Sequence, residues 1–330
     1  MLEEKMELRN KNVLITGIAG FVGSHLCQEL LDRGCEVTGI DDFSNGKMAN
    51  IKHNIKNIRL LHDTIIDKRL YQINSNFAHA KFDVIFHEAA LNLVRSTINP
   101  EADLRVNALG TLSLLEYIKH KSPHTKLVFA STGSIYGEPQ YTPQDEKHPK
   151  NPCSPYGISK LAAEMYVNWY AKQHGLKTIS LRYYNVVGSR QEYSDMGGVV
   201  PIFIKNALQR KPIEITGDGT QTRCFTDVSD VVRANIAAAE SEKGYGYGYN
   251  IATDEITTIN QLAREVCTCV GIEPNIKYVA PRVGDIHDFT PSIRLAQETF
   301  GYSPQTKLKD SLPKIITWMS EELRNQQEVE

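Results

Sequence analysis

The chain has no paired cysteines, no long apolar run and no excess of charge, and each absence removes a class of protein. Its six cysteines, Cys27, Cys35, Cys153, Cys224, Cys267 and Cys269, form no CxxC pair, so neither a disulfide framework nor a zinc site is expected and no metal is called for. All six are read as free thiols. No stretch approaches the ~20 apolar residues of a membrane helix, and the charged start, Met1 to Lys11, lacks the apolar centre of a signal peptide. The cytoplasm is the expected compartment. Lys and Arg number 37 against 39 for Asp and Glu, a net charge of -2 that offers no general attraction to nucleic acid or to an anionic membrane. Any phosphate must be met by a few placed cations. What remains is ordinary globular material, 41% hydrophobic and 23% charged, and 330 residues suffice for one large domain with a smaller partner.

Strand and helix patterns alternate along the first half. Val13-Leu14-Ile15 is a short apolar run, followed by a glycine-rich turn and a helical pattern from about Phe21 to Arg33 with Gly34 after it. Further β-rich runs lie at Glu36 to Ile40, Ile58 to Leu61, Phe82 to Phe86 and Leu127 to Ala130. This rhythm predicts an α/β fold, a Rossmann-type doubly wound parallel sheet with helices on both faces. Two longer helices are expected over Pro100 to His120 and Pro155 to His174. Beyond Leu181 the rhythm becomes irregular, with a turn at Gly217 to Gly219 and another in Gly244 to Tyr249 before a strand Tyr249 to Ala252. The expected division is a nucleotide-binding domain over 1–181, with a returning segment at about 225–252, and a smaller C-terminal α/β substrate domain mainly over 182–330.

Gly17-Ile18-Ala19-Gly20-Phe21-Val22-Gly23 follows the first strand and opens the first helix, where bare backbone lets a pyrophosphate approach the helix N-terminus. Glycines in such a turn also serve close packing, so the match alone is weak. Asp41 closes the second strand at about the ~20-residue distance of a ribose-binding acid. An acid there hydrogen-bonds ribose hydroxyls and repels a 2′-phosphate, which favours NAD over NADP. Asp42 is positioned to share the task. Asp63 and Thr64, after the third strand, are candidates for the adenine edge, with a plain turn as the alternative.

Tyr156 and Lys160 stand four positions apart at the start of a predicted helix, which sets them on one face about one turn apart. A phenol has an ordinary pKa near ~10, and a nearby ammonium favours its phenolate, which would make Tyr156 a general base. The same spacing occurs by chance on solvated helices. Here it follows a nucleotide-binding half and Ser131-Thr132 at the end of the fifth strand, where open α/β sheets meet their ligands.

Together these segments resemble the extended short-chain dehydrogenase/reductase family, within it the NAD-dependent nucleotide-sugar epimerases and dehydratases, and in motif pattern the 4-epimerases. The resemblance rests on Gly17 to Gly23, His87-Glu88-Ala89-Ala90, Asn107 to Thr111, Ser131 to Gly137, Ser154 to Lys160, Leu181 to Asn185 and Gly217 to Arg223. It implies a catalytic set of Thr132, Tyr156 and Lys160. It sets Gly17, Gly20, Phe21, Val22, Gly23, Asp41, Asp42, Asn45, Asp63, Thr64, Ala89, Asn107 and Tyr183 at the cofactor. Asn185, Val200, Arg223, Arg282, Asp285 and Phe289 then face a nucleotide-diphosphate sugar, the two arginines clamping its phosphates. A homodimer through the two long helices is implied as well.

Dehydratases of this family carry Asp-Glu directly after the threonine, and the related decarboxylases usually keep a Glu there. This chain has Gly133 and Ser134, which favours C4 epimerisation through a 4-keto sugar over loss of water or carbon dioxide. Phe289 matches a position whose bulk favours unacetylated hexoses. Cys224 where an aspartate is usual, Asp227 where an aromatic or His is common, and Pro291-Ser292 for Ala-Asp depart from the pattern. A dehydratase, decarboxylase or reductase of the same family is the near alternative. A redox-inert NAD-sensing protein is the distant one, and such a sensor commonly loses the tyrosine or lysine retained here.

Overall fold

The computed structural model describes residues 6–66, 80–194, 196–280 and 288–327. Its centre is a seven-stranded sheet built from β1 (Asn12–Thr16), β2 (Glu36–Asp41), β3 (Ile58–His62), β4 (Val84–His87), β5 (Lys126–Thr132), β6 (Thr178–Tyr183) and, after β7 (Ile213–Thr216) and β8 (Thr222–Arg223), β9 (Tyr247–Ile251). The strand order is β3-β2-β1-β4-β5-β6-β9 and every pairing is parallel. The chain winds outward from β1 to β3 and then restarts on the other side with β4. The crevice at the carboxyl ends of β1 and β4 is thus the switch point where ligands of such sheets bind.

Both sheet faces are covered, so β1, β4 and β5 are buried almost throughout. Alternate residues serve alternate faces. Val13, Ile15, Val84, Phe86 and Val128 join one cluster with Leu26 and Leu30 of the first helix, while Leu14, Ile85, Leu127 and Phe129 join another with Leu114, Ile118 and Val167. A separate core of Phe203, Ile204, Ile213, Ile215, Leu262, Val266, Leu312 and Met319 lies under β7, which pairs in parallel with β11 (Ile276–Val279). β8 pairs with β10 (Thr257–Thr258) in the antiparallel sense.

The helix Pro155–His174 is bounded by its own sequence: the Ser154 side chain accepts from Gly157 N, Pro155 occupies the first turn, and Gly175 ends it at φ 67°. The segment expected as one helix over Pro100 to His120 is instead broken into a turn Pro100–Asp103, a π-helical stretch Leu104–Gly110 and a helix Thr111–Lys121. Asn107 sits within the π stretch and its amide is wholly committed to neighbouring groups, which favours the wider turn. The expected turn through Tyr249 also ends early, because Tyr247 already pairs with Ile179 of β6.

Candidate active site

The turn after β1 is tight enough to exclude side chains. A Cβ on Gly23 would lie 2.2 Å from Gly17 O, so the first turn of the helix Phe21–Asp32 can come directly beneath the loop. At the end of β2, Asp41 is 7% exposed and its carboxylate accepts from Ala19 N at 2.8 Å and Phe43 N at 2.9 Å. Burial nevertheless raises its pKa, the two backbone donors working against the rise. Asp42 accepts from Ser44 N and Asp63 from Thr64 N, each in a local turn.

These elements enclose a cleft of about 290 Å³. Gly17, Gly20, Phe21, Val22, Gly23, Asp41, Asp42, Asn45, Asp63, Thr64, Ala89, Tyr156, Lys160 and Tyr183 all line it, together with Glu88, Leu91, Asn92 and Ser131, which sequence reasoning did not assign to it. Asn107 stands behind the wall. Its amide donates to Asp103, to Ser159 and to Leu91 O and accepts from Leu91 N at 3.0 Å, tying the cleft loop to the helix of Tyr156. His87 is fully buried between Thr16 Oγ1 (2.6 Å) and Thr111 Oγ1 (2.9 Å), and burial lowers its pKa to about 3. It is a neutral brace and not an acid–base group.

Tyr156 reaches the cleft, and the Thr132 side chain acts on it in the sense that favours the phenolate. Thr132 Oγ1 also accepts from Ser134 N at 3.1 Å, which fixes its side chain. The expected lowering of the phenol by Lys160 is not what this site produces. Burial pushes Tyr156 up to about 12, the Thr132 hydroxyl opposes this, and Asp103 and Glu88 push it further up. Lys160 is 1% exposed, its Nζ lacks a hydrogen-bond partner among the described residues, and it sits 4.2 Å above the Phe129 ring. Burial lowers its pKa to about 8. An ammonium left unpaired at the cleft wall, with an equally unpaired Asn45 Oδ1 on the same cleft, fits hydroxyl-bearing and amide-bearing parts of a dinucleotide.

The candidate substrate residues are more dispersed. Asn185 has φ 39° and a buried Nδ2 without a partner among the described residues. Val200 is 1% exposed in the second core, and Phe289 is 8% exposed with its ring 4.8 Å from Tyr184. Neither side chain lines the cleft. Arg223 Nη1 donates to Thr222 O at 2.8 Å. Arg282 and Asp285 lie outside the described residues. The unusual Asp227 caps the helix Val228–Glu240 by accepting from Ser229 N and also accepts from Ser311 Oγ, which is a structural task.

The family model for the NAD dependent epimerase/dehydratase family matches residues 13–252. The chain belongs to this family. A putative UDP-glucose 4-epimerase of Methanocaldococcus jannaschii is 36% identical over 93% of this chain and 98% of its own length. UDP-glucuronic acid decarboxylase 1 of Danio rerio is 33% identical over 97% of this chain and 75% of its own. Among solved structures, the UDP-glucose 4-epimerase of Thermotoga maritima, crystallised with UDP-glucose, superposes with a TM-score of 0.86 at 34% identity, covering 94% of this chain and 99% of that one. The protein is thus an enzyme of the NAD-dependent epimerase/dehydratase family, and NAD is its cofactor. No helix among the described residues is long and apolar enough to cross a membrane.

Proposed function

We propose that the enzyme is a nucleotide-sugar 4-epimerase acting on an unacetylated UDP-hexose of the glucose/galactose type. One observation carries the choice. The two positions after Thr132, where dehydratases of the family carry Asp-Glu and decarboxylases usually keep a Glu, hold Gly133 and Ser134, and a Cβ at Gly133 would lie 2.6 Å from the Tyr184 ring. Tyr184 is itself fully buried, so it has no room to yield, and Ser134 offers only a hydroxyl. The site has the tyrosine–lysine pair and carries no carboxylate at the two positions after Thr132.

Bound NAD supplies the acceptor, and later the donor, of one hydride. In this reading the chain supplies the rest. Tyr156 takes the proton of the sugar 4-hydroxyl and returns it to the 4-oxygen when the turned-over ketone regains its hydride on the other face, Thr132 holds that hydroxyl in line, and Lys160 contributes positive charge that favours the phenolate. With carboxylates and burial holding Tyr156 high in the open cleft, phenolate formation belongs to the loaded site. Asp41 takes the ribose hydroxyls, and Asn185, Arg223, Arg282 and Asp285 are proposed at the substrate diphosphate and nucleoside.

The same reading includes a homodimer. Ile158, Met165 and Trp169 share one face of the helix Pro155–His174 and are 55%, 64% and 49% exposed, with Ile98, Leu104 and Leu109 exposed on the neighbouring segment. Sedimentation of Met165→Lys against the parent is expected to show loss of the dimer. An unchanged mass would remove this face from consideration.

The activity is tested by incubating the protein with UDP-glucose, UDP-galactose, UDP-glucuronate and their N-acetyl counterparts and identifying products by NMR. The expected result is inversion at C4 with no net NADH. A 4-keto-6-deoxy product, carbon dioxide or stoichiometric NADH would overturn it.

A further inference from the structure

One ionisable side chain in the reaction centre has no task in this scheme. Glu88 directly follows β4 and lines the cleft with Tyr156, Lys160 and Tyr183. Its carboxylate is held on aim. Asn235 Nδ2 donates to Tyr183 Oη at 2.7 Å, which turns the phenol's own proton toward Glu88 Oε1, 2.9 Å away. Lys160, close by, has no hydrogen-bond partner for Nζ among the described residues and rests over the Phe129 ring. A ring face alone does not sustain a buried ammonium.

Three carboxylates act on Lys160, in the order Glu88, Asp103 and Glu164. Glu164 is already matched by Arg182, and Asp103 accepts from Asn107 Nδ2 at 2.7 Å. Neither Glu88 nor Asp103 has a cation of its own among the described residues, and of the two only Glu88 lines the cleft together with Lys160. We propose that Glu88 is a positioning residue whose charge keeps Lys160 cationic in the cleft, with Tyr183 and Asn235 holding the carboxylate in place. This rests on Tyr156 and Lys160 being the redox pair and adds the group that sets their charge.

The facing groups make the sign definite. They are Tyr156, Lys160 and Glu164 on the helix Pro155–His174, Asp103 on the turn before the π stretch, His87 on β4 and Tyr183 on β6. His87 stays neutral, and Glu88 itself is pushed up to about 7 by burial, with Tyr183 and Lys160 opposing the rise. The negative charge of Glu88 favours the ammonium of Lys160 and disfavours the phenolate of Tyr156. Removing it lowers both.

Glu88→Gln keeps an acceptor for Tyr183 and removes only the charge. The measurement is the ¹³Cε titration of Lys160 in full-length protein labelled with ¹³C-lysine, the resonance identified by its loss in Lys160→Met. The midpoint is expected to fall by about one pH unit or more, a tenfold change in proton affinity, and to be largely restored in Glu88→Asp. The alkaline limb of kcat should move the same way. Tyr183→Phe, which frees the carboxylate without discharging it, is expected to give a smaller shift of the same sign, and it serves if Glu88→Gln does not fold. A Lys160 midpoint unmoved in the folded variants overturns the proposal whatever the enzyme turns over. Failure of every nucleotide sugar to react would sink the epimerase reading and leave this titration standing.

Discussion

Lys160 and Arg182 are both cations shut away from water on neighbouring elements, and the fold treats them in opposite ways. Arg182, 3% exposed, meets Glu164 through Nε at 3.0 and 3.2 Å and again through Nη2, while Nη1 reaches Tyr136. Glu164 in turn accepts from Ser131 Oγ at 2.6 Å, and Tyr136 donates to Asn250 at 2.8 Å. The result is a closed network in which the pairing with Glu164 raises the pKa of Arg182 against its burial. Lys160 lies one helical turn from Glu164 and its Nζ has no hydrogen bond among the described residues. A charge that holds the fold is satisfied by the fold, whereas a charge meant for a ligand is left for the ligand to satisfy.

The sharpest way to test this contrast begins with the group Lys160 serves. Tyr156→Phe removes one oxygen from the cleft and nothing from the core. Turnover is expected to drop about 10²–10⁴-fold, with the thermal midpoint and NAD binding held close to the parent. Full activity in this variant would dissolve the functional side of the comparison.

Arg182→Met attacks the structural side. It leaves Glu164, 1% exposed, as a buried carboxylate with Ser131 as its remaining side-chain hydrogen-bond partner among the described residues. A loss of about 3–5 kcal/mol is expected in urea unfolding. The double replacement Arg182→Met with Glu164→Leu should recover most of it, since no uncompensated charge then remains. If the single and double variants are equally unstable, the network contributes packing and not charge balance.

Lys160→Met should move stability the other way. Deleting an unpaired buried ammonium is expected to stabilise the cofactor-free protein by about 1–3 kcal/mol, while the stabilisation that added NAD gives the parent shrinks. Destabilisation comparable to that of Arg182→Met would mean that the two cations are alike after all.

The legibility of the two sites differed for the same reason. Gly17 to Gly23, Asp41, Tyr156 and Lys160 are local patterns, each set by spacing along one loop or one helix, and they come together because the parallel sheet brings strand ends to one edge. The Arg182–Glu164 network joins a strand to a helix 18 positions earlier, so no window of sequence contains it. Its one visible signal is an arginine within the β-rich run of β6. Glu88 is visible beside His87, yet its relation to Lys160 depends on β4 and the helix Pro155–His174 meeting across the cleft. The π stretch at Leu104–Gly110 escaped because apolar spacing alone does not distinguish a wider turn from a regular one. The sense of the shift on Tyr156 escaped because burial and Asp103 are both contributions from tertiary structure.

The smallest effect separates the two sites by pH. Lys160 falls from an ordinary 10.5 to about 8, so between those values the unfolded chain binds a proton that the folded chain does not, and stability rises with pH. Glu88 rises from 4.5 to about 7, so across that window the folded chain keeps a proton the unfolded chain has lost, and stability falls as pH rises. Each slope is at most about 1.4 kcal/mol per pH unit. Their joint contribution is therefore least favourable between about 7 and 8, near the working range. Unfolding free energies of parent and variants across pH should differ by a rising limb missing in Lys160→Met and a falling limb missing in Glu88→Gln. Arg182, matched at every pH in this range, contributes neither limb, and a variant there that removed one would show the two networks to be coupled through Glu164.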